Sequence, residues 1–423
     1  MAQLSNDCFA FGDEPLTIDD ALAFIRDRVP MVVGVEQLHV TRCDGRILAQ
    51  DLLALYPLPA FFNTAVDGYA VRHADLNPDT DTRLAVSGRL QAGAKKTAAL
   101  PARSAVRIFT GAPMPEGADT VFMQEDVTLQ TGSNRGDEHV LLPAGLKAGA
   151  NCRPTGEEIQ AGALAIAAGT RLLPQHLALA AGTGHAVLSV CKRVRVAIFS
   201  TGDELVEPGV SRVGAAVFDT NRIMLEALLK RIGCDVSDLG ILSDEPEGLR
   251  VALRAAAKTH DLILTSGGVS TGEADYVKTA VEAEGRLDLC RFAIKPGRPL
   301  TIGVIGSAAF AGLPGNPVAV FVTFTQIVRA ILAALGGEVY EPPHFLPVKS
   351  GFNHKKKSGR IEFLRVSLAN SQTGFVAQRY PTEGAGIISS LTATDGMVRL
   401  PFDLEGVQEG DTLMYLPFSA MLG

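Results

Sequence analysis

The chain is poor in cysteine, and none of its cysteines stand in pairs. Cys8, Cys43, Cys152, Cys191, Cys234 and Cys290 form no C-x-x-C and no cluster with histidine. This excludes a zinc-finger site, gives no disulfide framework and predicts reduced thiols. Net positive charge is also missing. The formal charge is -7, which argues against nucleic acid as the main partner, so any anionic substrate must be held by local cations. The stretch from Met1 to Leu16 lacks a basic region followed by an apolar one, and no secretory signal is expected. No clean membrane span is present either. The most apolar segment, 318–335, carries Gln326 and Arg329 where the bilayer midplane would fall, which predicts a buried or amphipathic helix. The expectation is a cytoplasmic protein with neither nucleic acid nor membrane as a partner.

What is present is enough apolar sequence for a large core. Hydrophobic residues make up 47% of the 423 residues and charged ones 20%, a balance that excludes disorder. At roughly 150 residues per domain, two to four units are expected. Helical spacing of Ile18, Ala21, Leu22 and Ile25, with Thr17 and Asp19 as caps, predicts a first helix. Residues 53–152 are broken by glycines, with short strand-like runs at 105–109, 120–123 and 139–142, and read as an all-β unit. A helix opening at Pro174 follows. From Val194 strands and helices alternate: strands at 194–199, 235–242 and 261–265, helices after Asn221 and over 247–258. That order predicts a doubly wound parallel sheet with helices on both faces. Pro342-Pro343 marks a boundary, after which β patterning returns at 374–378 and 397–400.

In an open parallel sheet ligands bind at the carboxyl ends of the strands. The loops there, 200–204, 218–221, 243–245, 266–275, 295–299 and 313–317, are polar and rich in glycine. Ser266, Gly267, Gly268 and Ser270 lie in a stretch that lets backbone N–H groups approach an oxyanion, with a helix N-terminus expected near Glu273. A tight strand-to-helix turn gives the same pattern. The stretch is neither G-x-x-x-x-G-K-S/T nor G-x-G-x-x-G, so ordinary ATPase and dinucleotide readings fail. Asp203, Glu204, Asp244 and Asp275 fall in three of the loops. Converging carboxylates suit Mg²⁺, and helix capping is the simpler alternative, above all for Asp244. Arg291, Lys295 and Arg298 surround a stiff proline turn and could neutralise a dianion. Pro314, Asn316 and Pro317 read as a rigid loop and helix start. Asp67-Gly68 alone reads as a plain turn, and the basic run 355–360 as a solvated loop.

Taken in order, these segments are not generic. Val66-Asp67-Gly68-Tyr69-Ala70-Val71, Thr110-Gly111-Ala112, Ser200-Thr201-Gly202-Asp203-Glu204-Leu205, Asp219-Thr220-Asn221, Ser266-Gly267-Gly268-Val269-Ser270, Gly272-Glu273-Ala274-Asp275-Tyr276, Lys295-Pro296-Gly297 and Gly312-Leu313-Pro314-Gly315-Asn316-Pro317 closely resemble the molybdopterin molybdenumtransferase family, which includes bacterial MoeA and the E domain of gephyrin. The resemblance covers nearly the whole chain.

It implies four domains: a helical linker domain from 1–52 and 155–190, an inserted β domain at 53–154, a doubly wound α/β molybdopterin-binding domain at 191–342, and a C-terminal β-barrel-like domain at 343–423. It implies a homodimer with a cleft shared between subunits, adenylated molybdopterin and molybdate as substrates, AMP as a product, and Mg²⁺ as cofactor. Docking of a molybdopterin adenylyltransferase and of molybdoenzyme maturation factors is implied as well. By motif position, Asp67, Thr110, Glu204, Asp275 and Lys295 fall at catalytic positions. Arg153, Glu158, Ser266, Gly267, Gly268, Ser270, Arg291, Arg298, Pro314 and Pro317 fall at substrate-binding positions, and Glu204, Asp244 and Asp275 at metal positions. Departures from the family pattern are Phe62 where an Asp is usual, Thr64 and Val66 for Ser and Met, Glu158 for a frequent Asp, and Arg291 for a frequent Lys. A tungstate-using relative, an adenylyltransferase sharing the doubly wound domain, and a non-catalytic scaffold are the alternative readings.

Overall fold

The computed structural model describes residues 3–4, 8–9, 16–94, 98–131, 138–267, 276–297, 299–372 and 374–422. The first helix, Ile18–Arg28, starts where Thr17 accepts a hydrogen bond from the Asp20 amide and buries Ile18, Ala21 and Ile25. Acidic residues in its first turn and arginines in its last complement the helix dipole. The segments flanking the inserted unit are not helical alone. Val35–His39 pairs antiparallel with Val187–Cys191, and Leu52–Leu53 with Leu164–Ile166.

The inserted unit is a six-stranded sheet with the order Thr120–Met123, Gly68–Val71, Ser104–Ile108, Thr82–Leu90, Glu138–Leu142, Thr128–Thr131. Alternation along each strand sends Ala70, Val106 and Val121 into one apolar cluster and Tyr69, Val71, Ala105 and Phe122 into another. Gly68 is required at its position. A Cβ there would lie 1.8 Å from the carbonyl oxygen of Phe122 on the neighbouring strand.

The doubly wound unit comprises β1 (Arg195–Thr201), α1 (Asn221–Arg231), β2 (Asp235–Leu242), α2 (Pro246–Ala257), β3 (Leu262–Ser266), α3 (Tyr276–Glu284), β4 (Gly285–Arg291), β5 (Pro299–Ile305), β6 (Ala308–Leu313) and a long helix α4 (Pro317–Leu335). The strand order is 2-1-3-6-5-4. Strands β1, β2, β3 and β6 pair parallel, but β5 runs antiparallel to both β6 and β4. The sheet expected to be wholly parallel is therefore mixed: the short turn between β5 and β6 allows a hairpin and forbids a crossover. All residues of β3 are buried, as a strand covered on both faces requires. Helices α1 and α4 pack on one face with Val196, Ile198, Leu262 and Leu264. Helices α2 and α3 pack on the other with Ala197, Phe199 and Ile263. Helix α4 is long and apolar enough to cross a membrane, but 83% of its apolar window is buried inside the protein. Its middle turn, Phe324–Val328, is π-helical.

After Pro342-Pro343, strands β7 (Leu346–Ser350), β8 (Ile361–Ser371), β9 (Gly374–Arg379), β10 (Gly396–Leu400) and β11 (Thr412–Pro417) close into a five-stranded barrel in the order 8-9-7-11-10 and back to 8. The pair Ile294–Lys295 adds in parallel to β8, opposite Ile361 and Glu362. Near Val194, just ahead of β1, Glu338 accepts from Arg171 at 2.6 Å and from Arg329 at 2.8 Å. This ties the flanking segments to the doubly wound unit. Burial pushes the Glu338 carboxyl up, but the hydrogen bonds from Arg171 and Arg329 outweigh burial and hold it below its ordinary value.

On the surface, Arg254 and Arg250 of α2 clasp Glu284 at the end of α3. The hydrogen bond from Arg254 leads in drawing the Glu284 carboxyl down from 4.5 to about 2. A depressed carboxyl stabilises the fold above its unfolded value and loses that contribution as pH falls through its folded value. Acid denaturation of wild type should therefore include a component between pH 4.5 and about 2 that is absent from Glu284→Gln. Identical acid limbs in circular dichroism would refute the clasp.

Candidate functional site

The carboxyl ends of β1, β3 and β6 are stitched together by a few polar side chains. Asn221 Nδ2, at the start of α1, donates to Ser266 Oγ at 2.8 Å and to the Gly315 carbonyl at 2.7 Å. Ser266 Oγ donates to the Pro314 carbonyl at 3.3 Å, and the Gly267 amide to that of Leu313 at 3.1 Å. Gly267 has φ +88, and a Cβ there would stand 3.6 Å from the Thr201 carbonyl oxygen, so the strained backbone alone already calls for glycine. Of the loops predicted to converge, 218–221, 313–317 and the described start of 266–275 do so through these bonds. Gly268, Ser270, Asp275 and Arg298 lie outside the described residues, as does the side chain of Arg291.

A second group of acids gathers at the ends of β1 and β2. Burial pushes the Asp244 carboxyl above its ordinary value, a hydrogen bond with Thr201 opposes this, and the charges of Asp203 and Glu204 raise it further. Mutually repelling carboxylates are hard oxygen donors whose strain a divalent cation relieves, and in this respect the residues fit Mg²⁺. Among the described residues, no group of three His, Cys, Asp or Glu side chains is placed to hold a metal ion, so a complete set needs a further ligand from beyond them. Asp244 does not cap α2: Glu245 does, accepting from the Gly248 amide.

Beside the stitched loops lies a cavity of about 750 Å³, walled by the doubly wound unit on one side and the barrel on the other. Gly267, Lys295, Pro314 and Asn316 line the first wall, Arg360, Glu362 and Arg365 the second. Pro317 follows as the first residue of α4, whose cap residue Asn316 makes no side-chain capping bond. A Cβ on Gly297 (φ +108) would fall 2.5 Å from Thr323 Oγ1 on α4, so glycine lets the Lys295-Pro296-Gly297 turn press against that helix. Lys295 Nζ is 2.6 Å from Glu362 Oε1. The Glu362 side chain is 2% exposed and that of Lys295 is 42% exposed, so the pair runs from the interior to the cavity.

Arg360, Glu362 and Arg365 were not singled out as site residues in the sequence. Arg365 is only 8% exposed. Its guanidinium donates to Ser390 Oγ at 3.0 Å and to the Gly384 carbonyl at 3.1 Å, with no carboxylate within ion-pair distance among the described residues. Burial pushes its pKa down, against the opposing charges of Glu383 and Glu362. Arg360 Nε is buried without a hydrogen-bond partner. The run 355–360 is thus not simply a solvated loop: Lys356 is buried on the carbonyls of Lys357, Phe402 and Leu404, and Arg360 faces the cavity. The overlooked signal was charge inside an apolar strand, Ile361-Glu362-Phe363-Leu364-Arg365-Val366.

The remaining predicted residues form two groups in and beside the inserted β unit. Asp67 is no plain turn. It precedes the strand Gly68–Val71, and its Oδ1 accepts from both the amide and the hydroxyl of Thr110 at 2.8 Å each. The Thr110 amide first, and then its hydroxyl, hold the Asp67 carboxyl below its ordinary value. Arg153 pairs with Glu157 at 2.7 Å and with Glu158, and its backbone pairs with Asn63. Phe62 packs against the apolar cluster that includes Ala70. Among the described residues, neither group touches the Lys295 cavity within this chain.

The fold and the cavity define a multidomain protein of the molybdopterin-binding class. Three family models match in succession: the MoeA N-terminal region (domains I and II) over residues 16–184, a probable molybdopterin binding domain over 197–334, and the MoeA C-terminal region (domain IV) over 347–418. The molybdopterin molybdenumtransferase of Haemophilus influenzae is 37% identical over 96% of this chain and 100% of its own length. That of Nostoc sp. is 35% identical over 79% of this chain and 78% of its own. The crystal structure of a molybdopterin biosynthesis moeA protein from Pyrococcus horikoshii superposes with TM-score 0.78 at 26% identity, covering 95% of this chain and 99% of that one. The chain belongs to the molybdopterin molybdenumtransferase family.

Replacing Thr110 with Val removes one of the two bonds to Asp67 and leaves the amide bond. The Asp67 carboxyl should then titrate at higher pH than in wild type while staying below its ordinary value, as read by carboxyl NMR. An unmoved titration would show that the hydroxyl bond is not formed in solution.

Proposed function

We propose that the protein inserts molybdenum from molybdate into adenylated molybdopterin and releases AMP. The observation that carries this reading is the cavity at the junction of two domains lined by Lys295, Arg360 and Arg365, whose guanidinium has no carboxylate within ion-pair distance among the described residues. A small tetrahedral dianion matches such an arrangement: Lys supplies a compact charge and Arg a planar fork of donors. The barrel supplies half of the wall. An adenylyltransferase built on the doubly wound unit alone would not need it.

In this reading the chain's own residues position and neutralise. Lys295, Arg360 and Arg365 hold the oxyanion and offset its charge, aided by Arg298 and Arg291. The stretch carrying Ser266, Gly267, Gly268 and Ser270 is assigned to the phosphate oxygens. Pro314 and Pro317 hold the opposite rim rigid. Glu204 and Asp244, with Asp275, would hold Mg²⁺, whose bound form supplies Lewis-acid neutralisation at the phosphate. Asp67, Thr110, Arg153 and Glu158 reach a substrate only from a second copy, which supports a homodimer with a shared cleft. The same reading takes 1–52 with 155–190, 53–154, 191–342 and 343–423 as the four domains, and leaves room for docking of a molybdopterin adenylyltransferase and maturation factors.

The decisive assay is AMP release from adenylated molybdopterin with Mg²⁺, with and without molybdate. Molybdate-stimulated release with active cofactor formed is the expected result. Tight pterin binding without release would favour a scaffold. Lys295→Ala should reduce the molybdate-dependent rate by roughly 100-fold, the scale of losing one oxyanion donor, with pterin binding little changed. An unaltered molybdate titration would remove Lys295 from the oxyanion site. Asp275→Asn should abolish turnover in a folded protein, and sedimentation should report a dimer. A fully active monomer would overturn the shared cleft.

A further inference from the structure

The cavity's principal lysine is already engaged before any anion arrives. Glu362 is almost wholly buried, and the Lys295 ammonium at 2.6 Å is the one hydrogen-bond donor to its carboxylate among the described side chains. An oxyanion that draws Lys295 into the cavity leaves this carboxylate without its partner in a buried place, where an uncompensated charge is expensive. Something behind Glu362 must replace the ammonium.

Directly behind it is His354, whose side chain is 4% exposed. Its Nε2 stands 3.6 Å from Glu362 Oε1 and has no hydrogen-bond partner. Its Nδ1 is 3.0 Å from Arg379 Nη1 and 3.7 Å from Glu383 Oε1, while the same Arg379 nitrogen donates to Glu383 at 2.6 Å. A guanidinium can only donate, so Nδ1 accepts from Arg379 and the proton of the neutral ring sits on Nε2, facing Glu362. The ring thus lies between two carboxylates, one short step from bonding each. The charged groups against the ring are Glu362 at Nε2, and Glu383 and Arg379 at Nδ1, with Lys295 on the far side of Glu362.

We propose that His354 is a positioning residue that takes up a proton and takes over Glu362 when an oxyanion draws Lys295 into the cavity. The proton comes from solvent and enters at Nδ1, and Arg379 passes wholly to Glu383. The resulting imidazolium bridges Glu362 through Nε2–H and Glu383 through Nδ1–H, so no bond other than N–H is made. Imidazole is the side chain suited to this exchange because its charge changes near neutral pH. The proposal rests on the oxyanion reading of the Lys295 cavity.

The test is calorimetric titration of the full chain with molybdate, at one pH slightly above neutrality, in two buffers of different ionisation enthalpy. The difference gives the protons exchanged per molybdate bound. Wild type should take up a substantial fraction of about one proton, the most a single imidazole can accept. His354→Gln, which keeps a donor toward Glu362 but cannot change charge, should bind molybdate with that uptake lost. Equal uptake in wild type and His354→Gln overturns the proposal, as does molybdate binding to wild type with no uptake, a result that needs no variant to fold. Wild type that binds no molybdate overturns the oxyanion reading itself, and the proposal with it.

Discussion

The contact between Lys295 and Glu362 joins the doubly wound unit to the barrel at the cavity. It is a charge pair set on a backbone pairing: Ile294–Lys295 joins β8 as an extra parallel strand, so the side chains of Lys295 and Glu362 are brought together by register. Further contacts tie the same two units: the Val318 amide donates to the Ala385 carbonyl at 2.9 Å, Phe321 meets Phe418 edge to face, and Ile361, Phe363, Met397 and Leu416 of the barrel share an apolar core with Ile294 and Phe321. Beside these contacts a cavity remains, lined by Pro314 and Asn316 from one unit and by Arg360 and Arg365 from the other. Any displacement of the barrel moves its half of the lining relative to the loops that end β3 and β6.

The energetics of that wall follow from its pairing. A cation tightly matched to a carboxylate gains little by binding a further anion, whereas a buried guanidinium held only by a serine hydroxyl and a carbonyl has much to gain. Arg365 is in the second state and Lys295 in the first. The cavity therefore holds two cations in different states, one closely paired and one with no carboxylate at ion-pair distance among the described residues. The Asp67–Thr110 and Arg153–Glu158 groups are satisfied locally and sit on a different sheet.

Much of this architecture was legible in the sequence, and the gaps have physical causes. Thr17 and the spacing of Ile18, Ala21 and Ile25 marked the first helix, and Asp235–Leu242 was found in full because apolar strands and capped helices announce themselves locally. The antiparallel pair β4–β5 was not read from the sequence, although Gly285-Arg286-Leu287-Asp288-Leu289-Cys290-Arg291 alternates polar and apolar residues as antiparallel strands do. Asp67-Gly68 was taken for a plain turn since Asp-Gly is a turn signal. The constraint that places glycine in a strand is the approach of the Phe122 carbonyl, which lies far along the chain. For the same reason Lys295, Pro314 and the Ser266-Gly267 loop could be named from local motifs, while Arg360, Glu362 and Arg365 could not. Their role depends on how the barrel closes.

Helix α4 begins beside the cavity with Pro317 and carries Arg329 into the cluster with Glu338 and Arg171 near the start of β1. Across its 19 residues it is a rod of roughly 28 Å at the usual rise per residue. The π-helical turn at Phe324–Val328 accommodates a residue beyond the α-helical count, and so sets the rotational phase between the two ends. The helix works like a crankshaft with a fixed offset. Its near end presents Ala319 to the cavity while its far end presents Arg329 to Glu338. A one-residue deletion in the α-helical turns on either side would twist one end by about 100° against the other, whereas a deletion at the π-helical turn would remove the absorbed residue and leave that phase in place, so this one turn is where the buried segment can change length.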